Sequence, residues 1–349
     1  MKARFKEFTQ FLRRHYSRMY LLVFILVLCV VVVFFVTEHQ LSRETIPKMK
    51  VSAVSKQKVS TVLTKPITKA PFSGSAVNIS PFSTNPTWSQ DFSTMPNGPL
   101  NSNIWSYDIG NGGPDNPGWG NNEDEYYTSN QSNVRVENGQ LILEAQKQSE
   151  GGFNYTSARI KTLPSLNVMY GKLDIDAKLP SGVGTWPALW LLPTTGIYEP
   201  TTPAAEQDPN NYLHDGEIDM LEATGSIPAQ ITSTAQSYVY NPSNNNERFN
   251  ETNVTNDTTT FHEYELQWTP TSLTFLVDGV AYHVVNKAAS DSTDIWPYNQ
   301  PFYLILNIAM GGTEGGTETQ QYPPYGIDDS SGPWKMAIKS INYYPYTGK

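Results

Sequence analysis

Cysteine is all but missing from this chain of 349 residues: its single thiol, Cys29, lies inside an unbroken apolar run. The remainder therefore holds no disulfide, and a small disulfide-stapled fold is excluded. Charge is scarce too, at 16% of residues, and basic charge is scarcest after residue 81. Residues 82–349 carry 11 Lys and Arg against 30 Asp and Glu, a net charge of −19. Such a surface repels phosphate backbones and anionic polymers, which excludes nucleic acid as a partner. A neutral polymer remains compatible. Helical periodicity is lacking as well, since no long segment of residues 82–349 spaces its apolar residues at about 3.6.

What is present falls into four stretches. Residues 19–36 are 18 consecutive apolar residues, long enough to span a bilayer. Lys2, Arg4, Lys6, Arg13, Arg14 and Arg18 precede them against one acid, Glu7. The positive-inside rule then makes residues 1–18 a basic cytoplasmic tail and places the rest across the membrane. The run exceeds a typical signal-peptide core and no Ala-x-Ala-like site follows it, so a retained signal anchor is expected rather than a cleaved leader. Cleavage would make the protein secreted. Residues 37–81 have seven basic residues, two acids and no aromatic before Phe72, the composition of a disordered linker. Residues 82–349 are long enough for one extracellular domain with a sizeable core.

That domain reads as strands and turns. Residues 134–145 form a hairpin pattern around Asn138-Gly139, and residues 273–285 repeat it around Asp278-Gly279. Residues 170–179 alternate, with Leu173, Ile175 and Ala177 on one face. Further strands are expected at 261–268, 301–310 and 336–346. Residues 194–215 and 241–260 read as long polar loops. Many short strands with turns between them predict an all-β sandwich or barrel.

The chemistry is densest at Glu217-Ile218-Asp219-Met220-Leu221-Glu222. In a regular strand Glu217 and Asp219 share a face, and Glu222 has the wrong parity. A β-bulge would restore it. Acids crowded on one face repel each other, which a strand selected only for stability would avoid. Hydrolysis of a glycosidic bond needs that crowding: one ionised carboxylate and one protonated carboxyl flanking the bond. About thirty residues earlier stands Gly184-Thr185-Trp186-Pro187-Ala188-Leu189-Trp190, whose indoles suit the apolar faces of sugar rings. Gly118-Trp119-Gly120-Asn121-Asn122-Glu123 is a glycine-rich loop whose amides can pair with hydroxyls.

Together these blocks resemble the laminarinase-like branch of glycoside hydrolase family 16. Tyr126-Tyr127-Thr128, Ser157-Ala158-Arg159-Ile160, Tyr170-Gly171-Lys172 and residues 304–312 add to the resemblance, in family order. It implies a β-jelly-roll sandwich with a concave substrate cleft and retaining endo-hydrolysis of β-1,3-glucan. By position it implies Glu217 as nucleophile, Glu222 as general acid then base, and Asp219 as helper of the nucleophile. Asn122 and Arg159 would bind sugar hydroxyls, and Trp186 and Trp190 would line glycone subsites. The same covalent intermediate would also serve transglycosylation or another β-glycan, and a glucan-binding protein on this scaffold is the non-enzymatic alternative. The chain departs from the family pattern at Tyr212-Leu213-His214-Asp215, at Gln236, where a cleft histidine is common, and at Lys339. The last replaces a carboxylate of the family's calcium site, and a protonated ammonium cannot ligate a cation. The expectation is that no cofactor is required; calcium stays the alternative that the resemblance implies, with Asp91 as the candidate remnant of its site.

Overall fold

The computed structural model describes residues 80–114, 116–163, 165–194, 211–315 and 326–348. The expected cytoplasmic tail, membrane segment and linker up to residue 79 lie outside them, as does most of the expected loop 194–215. Among the described residues no helix is long and apolar enough to cross a membrane.

In chain order the strands are β1 (Trp88–Asp91), β2 (Ser106–Asp108), β3 (Glu125–Tyr127), β4 (Val134–Glu137), β5 (Gln140–Ala145), β6 (Tyr155–Ser157), β7 (Arg159–Lys161) and β8 (Gly171–Lys178). There follow β9 (Thr185–Pro193), β10 (Glu217–Ala223), β11 (Gln230–Gln236), β12 (Phe249–Asn253), β13 (His262–Thr269), β14 (Ser272–Val277), β15 (Val280–Asn286), β16 (Phe302–Met310) and β17 (Trp334–Pro345). Both expected hairpins form. Asn138 and Gly139 take φ of 53° and 74° between β4 and β5, and Asp278 and Gly279 take 49° and 76° between β14 and β15. Positive φ at both central positions matches the twist of the flanking strands.

Eight strands make one antiparallel sheet in the order β15-β14-β13-β8-β17-β5-β4, with β1 paired to β17. Seven make the second, β12-β11-β10-β9-β16-β7-β2, and β3 and β6 form a short parallel pair. Leu173, Ile175 and Ala177 of β8 share one core with Ile218 and Leu221 of β10 and with Leu304, Leu306 and Ile308 of β16. Burial of these faces is the main stabilising term, about 1.5–3 kcal/mol for each large apolar side chain. The result is the all-β, two-sheet jelly-roll sandwich that turn spacing and resemblance implied.

The seven-stranded sheet is covered on its second face as well. Leu192, Tyr303 and Ile305 form a separate apolar cluster there, with Trp190, Tyr212 and Leu163 packed on it. Every residue of β16 is accordingly buried, which explains its unbroken apolar reading. One expectation is corrected. The stretch 241–260 is not wholly a loop, because it contains β12. Among the described residues this strand pairs only with β11, and it is exposed along nearly all its length. With no buried face, it carries no alternation to read.

Candidate active site

Gly216 ends the 3₁₀ turn Asn211–His214 and admits β10. Its φ is +83°, and a Cβ there would fall 2.5 Å from Pro297 Cγ, so only glycine fits without a shift. The strand then carries the bulge that parity requires. Asp219 pairs with Thr234 and Glu222 with Thr232 on β11, so three steps on β10 oppose two on its partner. On the other side Asp219 pairs with Trp190 and Leu221 with Leu189. Met220 is the extra residue. Ile218, Met220 and Leu221 all go into the core, and Glu217, Asp219 and Glu222 come together on the opposite face.

The three carboxyls are held differently. Glu217 Oε1 accepts from Gln236 Nε2 at 2.7 Å, and the same amide donates to Asp219 Oδ2 at 2.9 Å. The Tyr212 hydroxyl also donates to Glu217, and the Asp219 carboxyl shares a hydrogen bond with it. Burial and the nearby Glu222 charge push Glu217 up to about 7, while these donors and the Arg159 charge hold it down. Asp219 is raised well above the usual carboxylate range by burial and by Glu217. Glu222 is raised well above it by burial, by Asp219 and by Glu314, and has a single lowering donor, Trp186 Nε1 at 3.1 Å. Donors to the charged form are thus more numerous at Glu217 than at Glu222, the bias that an attacking carboxylate beside a proton-giving carboxyl needs.

One wall of the site is a stacked cation. The Arg159 guanidinium lies 4.5 Å from the Trp119 ring centroid and 4.7 Å from that of Trp190, and its Nε is 3.0 Å from Asp108 Oδ2. Trp190 Nε1 donates to Asn307 Oδ1 at 2.8 Å, Asn307 Nδ2 to the Tyr127 hydroxyl at 3.1 Å, and that hydroxyl to Glu123 Oε2 at 3.0 Å. Glu123 also accepts from Asn121 Nδ2 at 3.2 Å. This relay ties the loop 118–123 to β9 and β16. Gly312 lets the loop close, since a Cβ there would sit 3.1 Å from the Asn121 carbonyl and 3.3 Å from the Trp186 ring. Glu125, fully buried beside Glu123, is pushed well above the usual carboxylate range by burial and by Glu123.

Six of the seven site residues expected from sequence lie on or beside this face. Trp186 touches Glu222, and Trp190 pairs in register with Asp219. Asn122 is exposed in the loop 118–123 at φ 57° and is not joined to the acids. Arg159 is only 3% exposed, so it organises two indoles and lowers Glu217 more than it offers a surface. Sequence reasoning missed Tyr212, Trp119, Asn307, Glu247 and Glu314. Tyr212 lies within a noted departure, Trp119 within a noted loop and Asn307 within the matching block 304–312; Glu247 and Glu314 carry no signal of their own. Gln236, noted as a departure, proves to bridge two of the acids.

The calcium expectation is answered on the eight-stranded sheet. An open hollow of about 730 Å³ there is lined by Asp91, Asp176 and Lys339. Lys339 Nζ lies 3.5 Å from Asp176 and 3.9 Å from the Phe261 ring centroid. Asp91 is engaged as a cap, accepting from Ser93 N at 3.0 Å and Ser93 Oγ at 2.6 Å. An ammonium already faces the one remaining carboxylate, so these residues do not fit a divalent cation.

Comparison with known proteins gives a consistent picture. The family model described as "Glycosyl hydrolases family 16" matches residues 121–330. A β-glucanase of Rhodothermus marinus is 35% identical over 264 residues, 74% of this chain and 84% of its own length. A glucan endo-1,3-β-glucosidase of Cryptopygus antarcticus is 30% identical over 268 residues, 73% of this chain and 90% of its own. The solved structure of the laminarinase from Rhodothermus marinus superposes with a TM-score of 0.65 at 35% identity, covering 75% of this chain and 97% of that one.

Proposed function

Since the chain belongs to glycoside hydrolase family 16, we propose that it hydrolyses β-1,3-glucan within the polymer, with retention, through Glu217 and Glu222. The bulge at Met220 carries this reading, because with it Glu217 and Glu222 share one face and Asp219 lies beside Glu217. The activities of the relatives named above, β-glucanase, endo-1,3-β-glucosidase and laminarinase, support a β-1,3-linked glucan.

The chemistry then takes two displacements. The Glu217 carboxylate attacks the anomeric carbon while the Glu222 carboxyl gives its proton to the departing glycosidic oxygen. The bond to that oxygen breaks, and a glycosyl ester forms on Glu217. Glu222, now ionised, takes a proton from water, whose oxygen attacks the same carbon and releases Glu217. Two inversions leave the configuration unchanged, and Glu222 ends protonated. The Asp219 carboxyl hydrogen-bonds to Glu217 in the resting site without giving up its proton, which favours the anionic nucleophile among neighbouring acids.

Glu217→Gln should lower reducing-end release from laminarin by about a thousandfold or more, with near-UV circular dichroism and glucan binding unchanged. Equal turnover by both proteins would sink the mechanism. Product analysis on laminarin, mixed-linkage glucan and agarose tests the linkage, and products from agarose alone would reject β-1,3-glucan.

A further inference from the structure

Phe249 is the only aromatic among the exposed large apolar side chains of the described residues, at 53%. A single exposed phenylalanine needs no explanation in itself. Its register does. Trp190 on β9 pairs with Asp219 on β10, Asp219 with Thr234 on β11, and Thr234 with Phe249 on β12. Residues directly opposite across antiparallel strands share a face, so Phe249 stands on the face of the acids. The neighbouring residue of β11 confirms the alternation: Ser233 points inward, where its Oγ meets His283 Nδ1 at 2.8 Å. Glu251 joins the same face one pair along, through Thr232 and Glu222. Glu247 also looks this way, because its charge raises Asp219, Glu222 and Glu314.

The direction of the polymer follows from the chemistry. In retaining hydrolysis the nucleophile and the acid lie on opposite sides of the reacting centre, so the line joining them crosses the sugar chain. Here that line runs along β10, from Glu217 to Glu222. The glucan must then lie across the strands, over β9 on one side and over β11 and β12 on the other. The β9 side has Trp186 and Trp190. On the other side Phe249 is the sole aromatic of β11 and β12, two strand spacings, or about 10 Å, from Asp219. A β-linked glucosyl ring holds its hydroxyls at the equator and presents C–H faces above and below, which an exposed aromatic ring can stack on.

We propose, on the reading that the substrate is a β-1,3-glucan, that Phe249 is the platform of a separate subsite, which holds a non-reacting glucosyl unit over the edge strand β12. Its energy is gained only by chains long enough to reach that edge, so it selects polymer over short fragments. Binding of β-1,3-linked glucose oligosaccharides of increasing length should be measured by calorimetry, using the full chain in a Glu217→Gln background. With Phe249 present, affinity should step up at the length that reaches β12. Phe249→Ala should remove the step, a loss of about three- to tenfold, leave short oligosaccharides unchanged, and be rescued by Phe249→Trp. An identical length profile in the alanine variant overturns the platform, and so does an equal loss at every length. Turnover of laminarin by the wild-type chain is measured alongside. Its absence rejects the proposed hydrolysis, while the length profile still decides Phe249.

Discussion

At the scale of single residues, the acids are ranked by the donors around them. Glu217 is approached by Gln236, Tyr212 and Asp219, whereas Glu222 has one indole. Because an ionised Glu217 is needed for attack, kcat/KM should fall on the acid side with a midpoint near Glu217's value of about 7. Tyr212→Phe deletes a donor to the charged form. The carboxylate loses stabilisation, so its pKa rises and the acid limb should move up by about one pH unit. The alkaline limb, set by Glu222, should stay in place. A pH profile of kcat/KM checks this; lower activity with an unmoved acid limb would reduce Tyr212 to packing. The acids themselves were legible in sequence because parity and crowding are local. Tyr212 was not, since its contact to Glu217 depends on how the 3₁₀ turn Asn211–His214 folds back, which no spacing rule encodes.

Among elements, the readable ones have one buried face and a turn of specific chemistry. The hairpins β4–β5 and β14–β15 announce themselves through Asn-Gly and Asp-Gly, and β8 through its alternation. β12 reads as loop in the sequence because neither of its faces is buried, and Phe249 carries no signal there. The bulge in β10 was inferable only as a need: sequence showed that Glu222 required an extra residue, while the register showed that Met220 supplies it. The start of β10 yields a sharper test. Gly216→Ala would drive a Cβ against the rigid Pro297 ring at positive φ. It should destabilise by about 1–3 kcal/mol and displace Glu217, so both the urea midpoint and kcat should fall. An unchanged midpoint would show that Pro297 yields freely.

For the molecule as a whole, a sandwich without disulfides is held by its shared core, in which Trp105, Trp268, Trp296 and Trp334 are almost fully buried. Against that core stand acids held out of water: Glu125, Glu217 and Asp219 are buried and Glu222 is half-buried. Glu125, Glu217, Asp219 and Glu222 all have folded pKa values above their unfolded ones. The folded state thus binds more protons. Their contribution is fully present below the unfolded pKa of about 4.5 and is lost as pH rises through the folded values, near 7 for Glu217. Thermal stability should therefore decline from pH 5 to pH 8. Glu217→Gln, which cannot ionise, should melt about 2–8 °C higher than wild type at pH 8, with the gap closing at pH 5. Calorimetric melting curves at both values decide it, and a gap independent of pH would remove ionisation as the cause.

The edge position of β12 has one more consequence. A strand paired on one side only leaves a row of open backbone donors and acceptors, to which a strand of another molecule could add. β12 is five residues long, and apart from Phe249 it is Asn, Glu and Thr. It is short and polar, with a charge at Glu251, and that composition resists growth of the sheet into a neighbouring copy. The exposed ring of Phe249 thus sits on a strand built to stay single.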